Sequence, residues 1–223
     1  MSKKNIFDLY AKSYKAITQK KLSFFNKKRD YFDLYKINII KKKIQSPKNI
    51  IDYGCGIGLL TNHLIKFFPD SNIYATDNSK VSLKILKKKY KKIKIIDYYK
   101  IKKNFFDLSI LTGVIHHIPS KYISYNLKKI RNIINDYGKI IIFEHNPYNF
   151  ITQNIVNNCP YDEGVQLIKK KKLIEIASSV NLRTIDSGYC LFFPEFLKKL
   201  RFLEKYLKWC PLGGQYYLVL KKH

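Results

Sequence analysis

The twelve residues Ile50 to Thr61, Ile-Ile-Asp-Tyr-Gly-Cys-Gly-Ile-Gly-Leu-Leu-Thr, restrict the fold more than any other part of the chain. Apolar β-branched residues run into Asp52, three glycines alternate with other residues, and an apolar helical pattern begins at once. That is a strand, a tight turn and a helix start. Glycine supplies left-handed backbone and lets a ligand approach the main chain, and the free amides of a new helix favour a negative group.

A nicotinamide-binding turn spaces its glycines G-x-G-x-x-G. Here the spacing is Gly54-x-Gly56-x-Gly58 with Asp52 just ahead. This resembles motif I of the class I S-adenosylmethionine (SAM) dependent methyltransferases. The resemblance implies an α/β, Rossmann-like, seven-stranded and mostly parallel sheet with helices on both faces. It also implies a last strand inserted antiparallel beside strand five, and SAM as cofactor. In that family the loop, here Gly54, Cys55, Gly56 and Gly58, wraps the methionine end of SAM, and the acidic residue, here Asp52, helps to hold its ammonium group.

The downstream spacing continues the resemblance. A second strand, Asn72 to Thr76, ends at Asp77-Asn78, about twenty residues beyond the last turn glycine, where doubly wound folds place a carboxylate for ribose hydroxyls. A helix-capping role is the alternative for such a residue. A third strand ends at Asp97-Tyr98, which the family would set against adenine, the alternative being a plain strand-end turn. The fourth strand, Phe105 to Gly113, is apolar on both faces as an interior parallel strand should be, and contains Thr112 at its exit. Val114-Ile115-His116-His117-Ile118-Pro119 follows, a segment common in the small-molecule branch of the family. His117 is either a proton acceptor near the methyl group or a residue that shapes the loop.

The fifth strand, Lys139 to Glu144, leads into His145-Asn146-Pro147-Tyr148-Asn149. These residues resemble the Asn/Asp-Pro-Pro-Tyr signature of amino-nucleobase methyltransferases, but they follow strand five rather than four and carry one proline, so that reading is set aside. Strand exits face ligands in such sheets, which makes Glu144 and Tyr148 candidates for acceptor binding. His145 is the first candidate base and His117 the second, because imidazole titrates near neutrality. The histidines show no ligand-like spacing with carboxylates, so no metal is expected.

Residues 163 to 180 read as one long helix, followed by a strand from about Arg183 to Phe193, a helix from Pro194 to Trp209 and a last strand Gln215 to Lys221. A subgroup of small methyltransferases is similar in four segments, present here at 145–149, 159–162, 191–194 and 211–216. At the other end, Phe7, Asp8, Tyr10, Ala11 and Tyr14 match a family segment that folds over the cofactor as a helical lid. Tyr10 or Tyr14 serves that lid or plain packing. The expected organisation is a helical cap over 1–46 and a SAM-binding domain over 47–223, with 145–215 on the acceptor side.

The formal charge of +27 comes almost wholly from lysine, since only Arg29, Arg131, Arg183 and Arg201 are arginines. Specific phosphate and base readout favours arginine forks. The lysines are spread over helix faces beside abundant isoleucine, asparagine and tyrosine, a pattern of AT-rich coding; an anionic substrate or membrane surface is the second reading of the charge, and nucleic acid is a less favoured partner. No apolar run reaches the roughly 18 residues of a membrane span and no apolar stretch follows the polar N-terminus, from which a cytoplasmic protein is expected. The four cysteines form no C-x-x-C pair. The function expected is methyl transfer to a small-molecule hydroxyl of a sugar, lipid-linked or other precursor. The alternatives are RNA methylation and a SAM-binding module without turnover. Acceptor identity and oligomeric state stay open.

Overall fold

The computed structural model describes residues 6–14, 16–17, 30–97 and 100–223. Seven strands form one sheet: β1 (Asn49–Tyr53), β2 (Asn72–Thr76), β3 (Lys94–Ile95), β4 (Phe106–Thr112), β5 (Ile134–His145), β6 (Leu182–Cys190) and β7 (Gln215–Lys222). Their order is β3-β2-β1-β4-β5-β7-β6, parallel from β3 to β5, with β7 antiparallel to both β5 and β6. The expected Rossmann-like sheet with an inserted antiparallel last strand is therefore present.

Side-chain alternation explains why both faces are covered. Ile51 of β1 joins a buried cluster with Leu127, Ile130 and Leu173, whereas its neighbour Ile50 joins another with Ile37, Ile40 and Leu64. The first cluster is supplied by helices α5 (Ile123–Ile133) and α7 (Lys170–Ser179). The second is supplied by α2 (Asp30–Lys43) and α3 (Leu59–Phe67). A smaller cluster joins Leu86 of α4 (Lys80–Lys89) to Cys55 and Ala75 under the glycine turn. Helix α2 thus contributes Phe32, Ile37 and Ile40 to the core beneath the sheet. The short α1 (Ile6–Tyr10) precedes it.

Three elements differ from expectation. The predicted helix over 163–180 is confined to Lys170–Ser179: Gly164 takes φ +74° and Lys169 is extended at φ −69°, ψ 139°, so the helix starts only after it. Helix α6 (Phe150–Asn157) was not expected; Asn149 starts it by accepting the Thr152 amide at 2.8 Å, as an N-cap does. Strand β5 begins at Ile134, earlier than the turn at Asp136-Tyr137-Gly138 suggested. The run Glu195–Tyr206 is helical with a kink at Leu197, close to the expected helix.

Candidate active site

A cavity of about 530 Å³ opens over the carboxyl ends of β1, β2 and β4. Asp52, Gly54, Cys55, Gly56, Asp77, Asn78, Thr112 and Tyr14 all line it, so the structure brings together most of the residues expected to hold a cofactor. Its size suits a nucleoside ligand, since such pockets are typically ~300–1,000 Å³. The glycine turn is built for close approach. A Cβ on Gly58 (φ +80°) would lie 2.1 Å from Leu86 Cδ1, and one on Gly56 (φ +52°) would project where no atom lies within 4 Å.

Two carboxylates hold and charge this cavity. Asp77 accepts the Gly56 amide and the Ser79 amide, each at 2.7 Å, and so ties the turn to the end of β2. Burial raises its pKa, against which these two amides work. Asp52 is buried and accepts the Thr61 hydroxyl at 2.6 Å. Burial, which the Thr61 bond only partly offsets, pushes its carboxyl up to about 7. A cationic ligand group beside it would remove much of that penalty, which fits the ammonium of SAM. Thr112 Oγ1 is buried with no hydrogen-bond partner among the described residues, a further polar atom available to a ligand.

Asp97 is exposed after β3 and does not line the cavity. Tyr98 lies outside the described residues. The lid segment does reach the site. Phe7 meets the His117 ring edge-on at 4.8 Å, and Tyr14 lies 4.8 Å from the Tyr161 ring. Asp8 anchors α1 by accepting the Ser79 hydroxyl at 2.5 Å and the Val81 amide at 3.2 Å, at the start of α4. Tyr10 packs against Tyr161 at 6.3 Å.

A second, smaller cavity of about 120 Å³ adjoins the first; Tyr14, Thr112, Gly113 and His117 line both. Its polar wall is a chain of charge. Glu144, expected to face the acceptor, is instead fully buried beneath the loop after β4. It accepts the Val114 amide at 2.9 Å, the Ile115 amide at 2.6 Å and shares a proton with His116 Nδ1 at 2.6 Å. The far nitrogen of His116 lies 3.8 Å from Asp162, and His117 Nε2 lies 3.2 Å from the same carboxylate oxygen. Burial works to lower the His116 pKa, but Glu144 and Asp162 outweigh it and raise it to about 9. The histidines in turn hold both carboxyls below their ordinary range against the opposing effect of burial. His145 is the opposite case: burial and the nearby His116 charge push it down to about 4. Tyr148 is exposed, does not line either cavity, and carries Lys169 over its ring.

The ligand atoms of His116, His117 and Asp162 lie within 4.8 Å of one another, a grouping with the donor set of a cation site. The expectation of no such grouping rested on sequence spacing, which could not show Asp162 folding back 45 residues later. Cys159-Pro160-Tyr161-Asp162 forms the turn that delivers it, with the Asp162 amide bonded to the Cys159 carbonyl at 3.0 Å. The other three subgroup segments meet around the same cavity. Asn146 Nδ2 donates to the Pro211 and Gly213 carbonyls at 2.8 and 2.7 Å, and the Gly214 amide donates to Leu191 at 3.0 Å. Gly213 is required there, because a Cβ would lie 2.6 Å from the Cys190 carbonyl oxygen.

A Rossmann-like sheet with an antiparallel β7, a glycine turn after β1, and acids at the end of β1 and just after β2 defines a class I SAM-dependent methyltransferase. The chain belongs to the methyltransferase-domain family, whose family model matches residues 44–181. It is an enzyme that uses SAM. No curated protein sequence matches it. Similar solved structures include a SAM-dependent methyltransferase from Archaeoglobus fulgidus, 14% identical with TM-score 0.72, covering 94% of this chain and 99% of that one. Another, from Thermotoga maritima, is 12% identical with TM-score 0.70, covering 98% and 99%. An N-methyltransferase from Haemonchus contortus, seen with phosphomonomethylethanolamine and S-adenosylhomocysteine, is 15% identical with TM-score 0.58, covering 84% of this chain and 52% of that one. At these identities the likeness is one of fold.

Proposed function

We propose that the enzyme methylates a hydroxyl of a small-molecule acceptor whose reacting end enters the second cavity, with His117 as the proton acceptor. The observation that carries this reading is His117 itself, which lines both cavities and is the imidazole at their junction. The second cavity's ~120 Å³ falls below the usual ~300–1,000 Å³ of a whole-ligand pocket, so it suits the end of an acceptor.

SAM, when bound, supplies an electrophilic methyl group on a sulfonium. The protein's work is then to align the nucleophile, exclude water and take the acceptor's proton. Asp52 would pair with the ammonium, Gly54, Gly56 and Gly58 would wrap the methionine end, and Asp77 with Asn78 would meet the ribose. Asp162 lies 3.2 Å from His117 Nε2, so in this reading Nδ1 is the nitrogen that would take the acceptor's proton as the O–CH₃ bond forms. His116 is held protonated and His145 is a weak base at about 4, which reverses the order in which the two candidate bases were expected. Asp162 acts through His117 and is a positioning residue.

The test is methyl transfer from labelled SAM to a panel of hydroxylated metabolites, amines, thiols and RNA. Transfer to a hydroxyl should fall by about 10²–10⁴ in kcat in His117→Ala, far more than SAM affinity changes. Asp162→Asn should fall less and move the kcat–pH profile. Methylation of RNA, or of an amine at a rate indifferent to His117, would overturn the reading.

A further inference from the structure

The segment Glu195 to Leu212 carries side chains that neither cavity uses. Glu204 and the arginine turn inward, and Glu195 is partly exposed. Glu204 is buried and accepts the Phe192 and Phe193 amides at 3.2 Å. Arg201 lies 3.8 Å over the Tyr31 ring and donates to the Phe193 carbonyl at 3.1 Å. Glu195 pairs with Lys198 at 3.6 Å. What faces outward is aromatic, aliphatic or lysine. Phe202 is 65% exposed, Tyr206 64%, Trp209 76% and Leu212 65%, and Lys199, Lys205 and Lys208 are exposed between them. A helix that only covers a core does the reverse, burying its large apolar side chains.

The surface continues past this segment. Asn149 donates to the Leu212 carbonyl at 2.7 Å, which joins the turn to the start of α6, where Phe150 is 80% exposed and Ile151 37%. Thr152 and Ile155 of the same helix line the second cavity. The outer side of that helix is therefore apolar, and it adjoins the lysine-bearing segment 195–212.

We propose that this surface docks on an anionic phospholipid bilayer, with the aromatic rings seated at headgroup level and the lysines against lipid phosphates. Segments that lie in a membrane interface combine these two features, apolar rings on one side and lysines that reach the headgroups. Charge selects the partner. Among the described residues of the patch the fully exposed charges are lysines, with Glu195 only partly exposed and paired to Lys198, and the whole chain is at +27, so a second copy of the chain would bring like charges together, whereas an anionic bilayer complements them. No helix among the described residues is long and apolar enough to cross a membrane, so this docking is peripheral.

Trp209 is the chain's only tryptophan, so its own fluorescence reads the contact. The full chain is titrated with vesicles of phosphatidylcholine alone and of phosphatidylcholine mixed with phosphatidylglycerol, alongside cosedimentation. The anionic vesicles alone should shift Trp209 emission to the blue and pellet the protein. Lys205→Glu with Lys208→Glu should weaken cosedimentation by more than about tenfold. Phe202→Ser with Trp209→Ser should do the same at unchanged net charge, while both variants keep wild-type SAM affinity as the test of folding. The proposal is overturned by binding that ignores the aromatic variant, which is bulk charge attraction alone. An absent blue shift, equal binding to the neutral vesicles, or a blue shift that depends on protein concentration without vesicles, which marks self-association, would each overturn it as well.

Discussion

The titration of Asp52 couples cofactor binding to pH. Its folded carboxyl is pushed up to about 7 by burial, above its ordinary value, so ionisation is disfavoured in the empty site. The sign for stability follows: the protonated side chain is favoured by folding, and this contribution is lost as pH rises from the usual carboxylate range through about 7. Asp52→Asn should therefore be more stable than wild type at pH 8 without SAM, by roughly 1–3 kcal/mol in chemical denaturation. Binding runs the other way, because only the carboxylate pairs with an ammonium. Calorimetric SAM affinity should rise by about tenfold per pH unit below 7 and level off above it, with the slope absent in Asp52→Asn. Among site residues, those set by local motifs at strand ends were legible in the sequence: Asp52, Gly54, Gly56, Asp77 and Asn78 line one cavity together, while Gly58 packs against Leu86 instead. The carboxylate of Glu144 is spent on the loop after β4 and lines neither cavity, because a strand exit says which end a residue occupies and not which loop its carboxylate will satisfy.

At the scale of elements, the loop after β4 rests on one buried ion pair. His116 is raised to about 9, so its contribution to stability is complete below the ordinary histidine value and is lost as pH climbs through about 9. Glu144→Gln leaves a buried imidazolium with only the more distant Asp162 to pair it and should cost about 3–5 kcal/mol at pH 7. The gap between variant and wild type should narrow toward pH 10, measured by urea melts across that range. The link between α1 and α4 predicts a second effect. Asp8→Ala removes the acceptor for Ser79 and Val81, so hydrogen exchange over residues 6–14 should quicken while strands β1 and β4 keep their protection. The strands and α3 were legible because their hydrophobic periods are local. Helix α6 is less legible: Asn149 caps it through the Thr152 amide, but the His-Asn-Pro-Tyr-Asn string ahead of it carries no helical period. The four subgroup segments were visible as strings, but only the fold shows them converging on one cavity wall through Asn146, Asp162, Leu191 and Gly214.

Over the whole molecule, charge is sorted by depth. Asp33, Asp52, Glu144, Asp162 and Glu204 are buried, whereas Lys36 is the one buried lysine among the described residues. Burying acids leaves the surface richer in cations than the formal +27 already implies. Composition alone announced the excess, but not that part of the opposing charge is spent inside. Like charges at the surface repel across water, and that repulsion is screened once the Debye length falls to about 8 Å near physiological salt. Buried pairs are screened far less. Raising sodium chloride from low to physiological strength should therefore stabilise the wild type, and a gain on the order of 1 kcal/mol would appear as a rise of ~2–4 °C in Tm. Glu144→Gln should rise by the same amount, so its gap from wild type stays constant, because the Glu144–His116 pair lies beyond the reach of salt. A gap that closed with salt would place that pair in contact with solvent, and a wild-type Tm that fell with salt would mean that surface ion pairs outweigh the lysine repulsion.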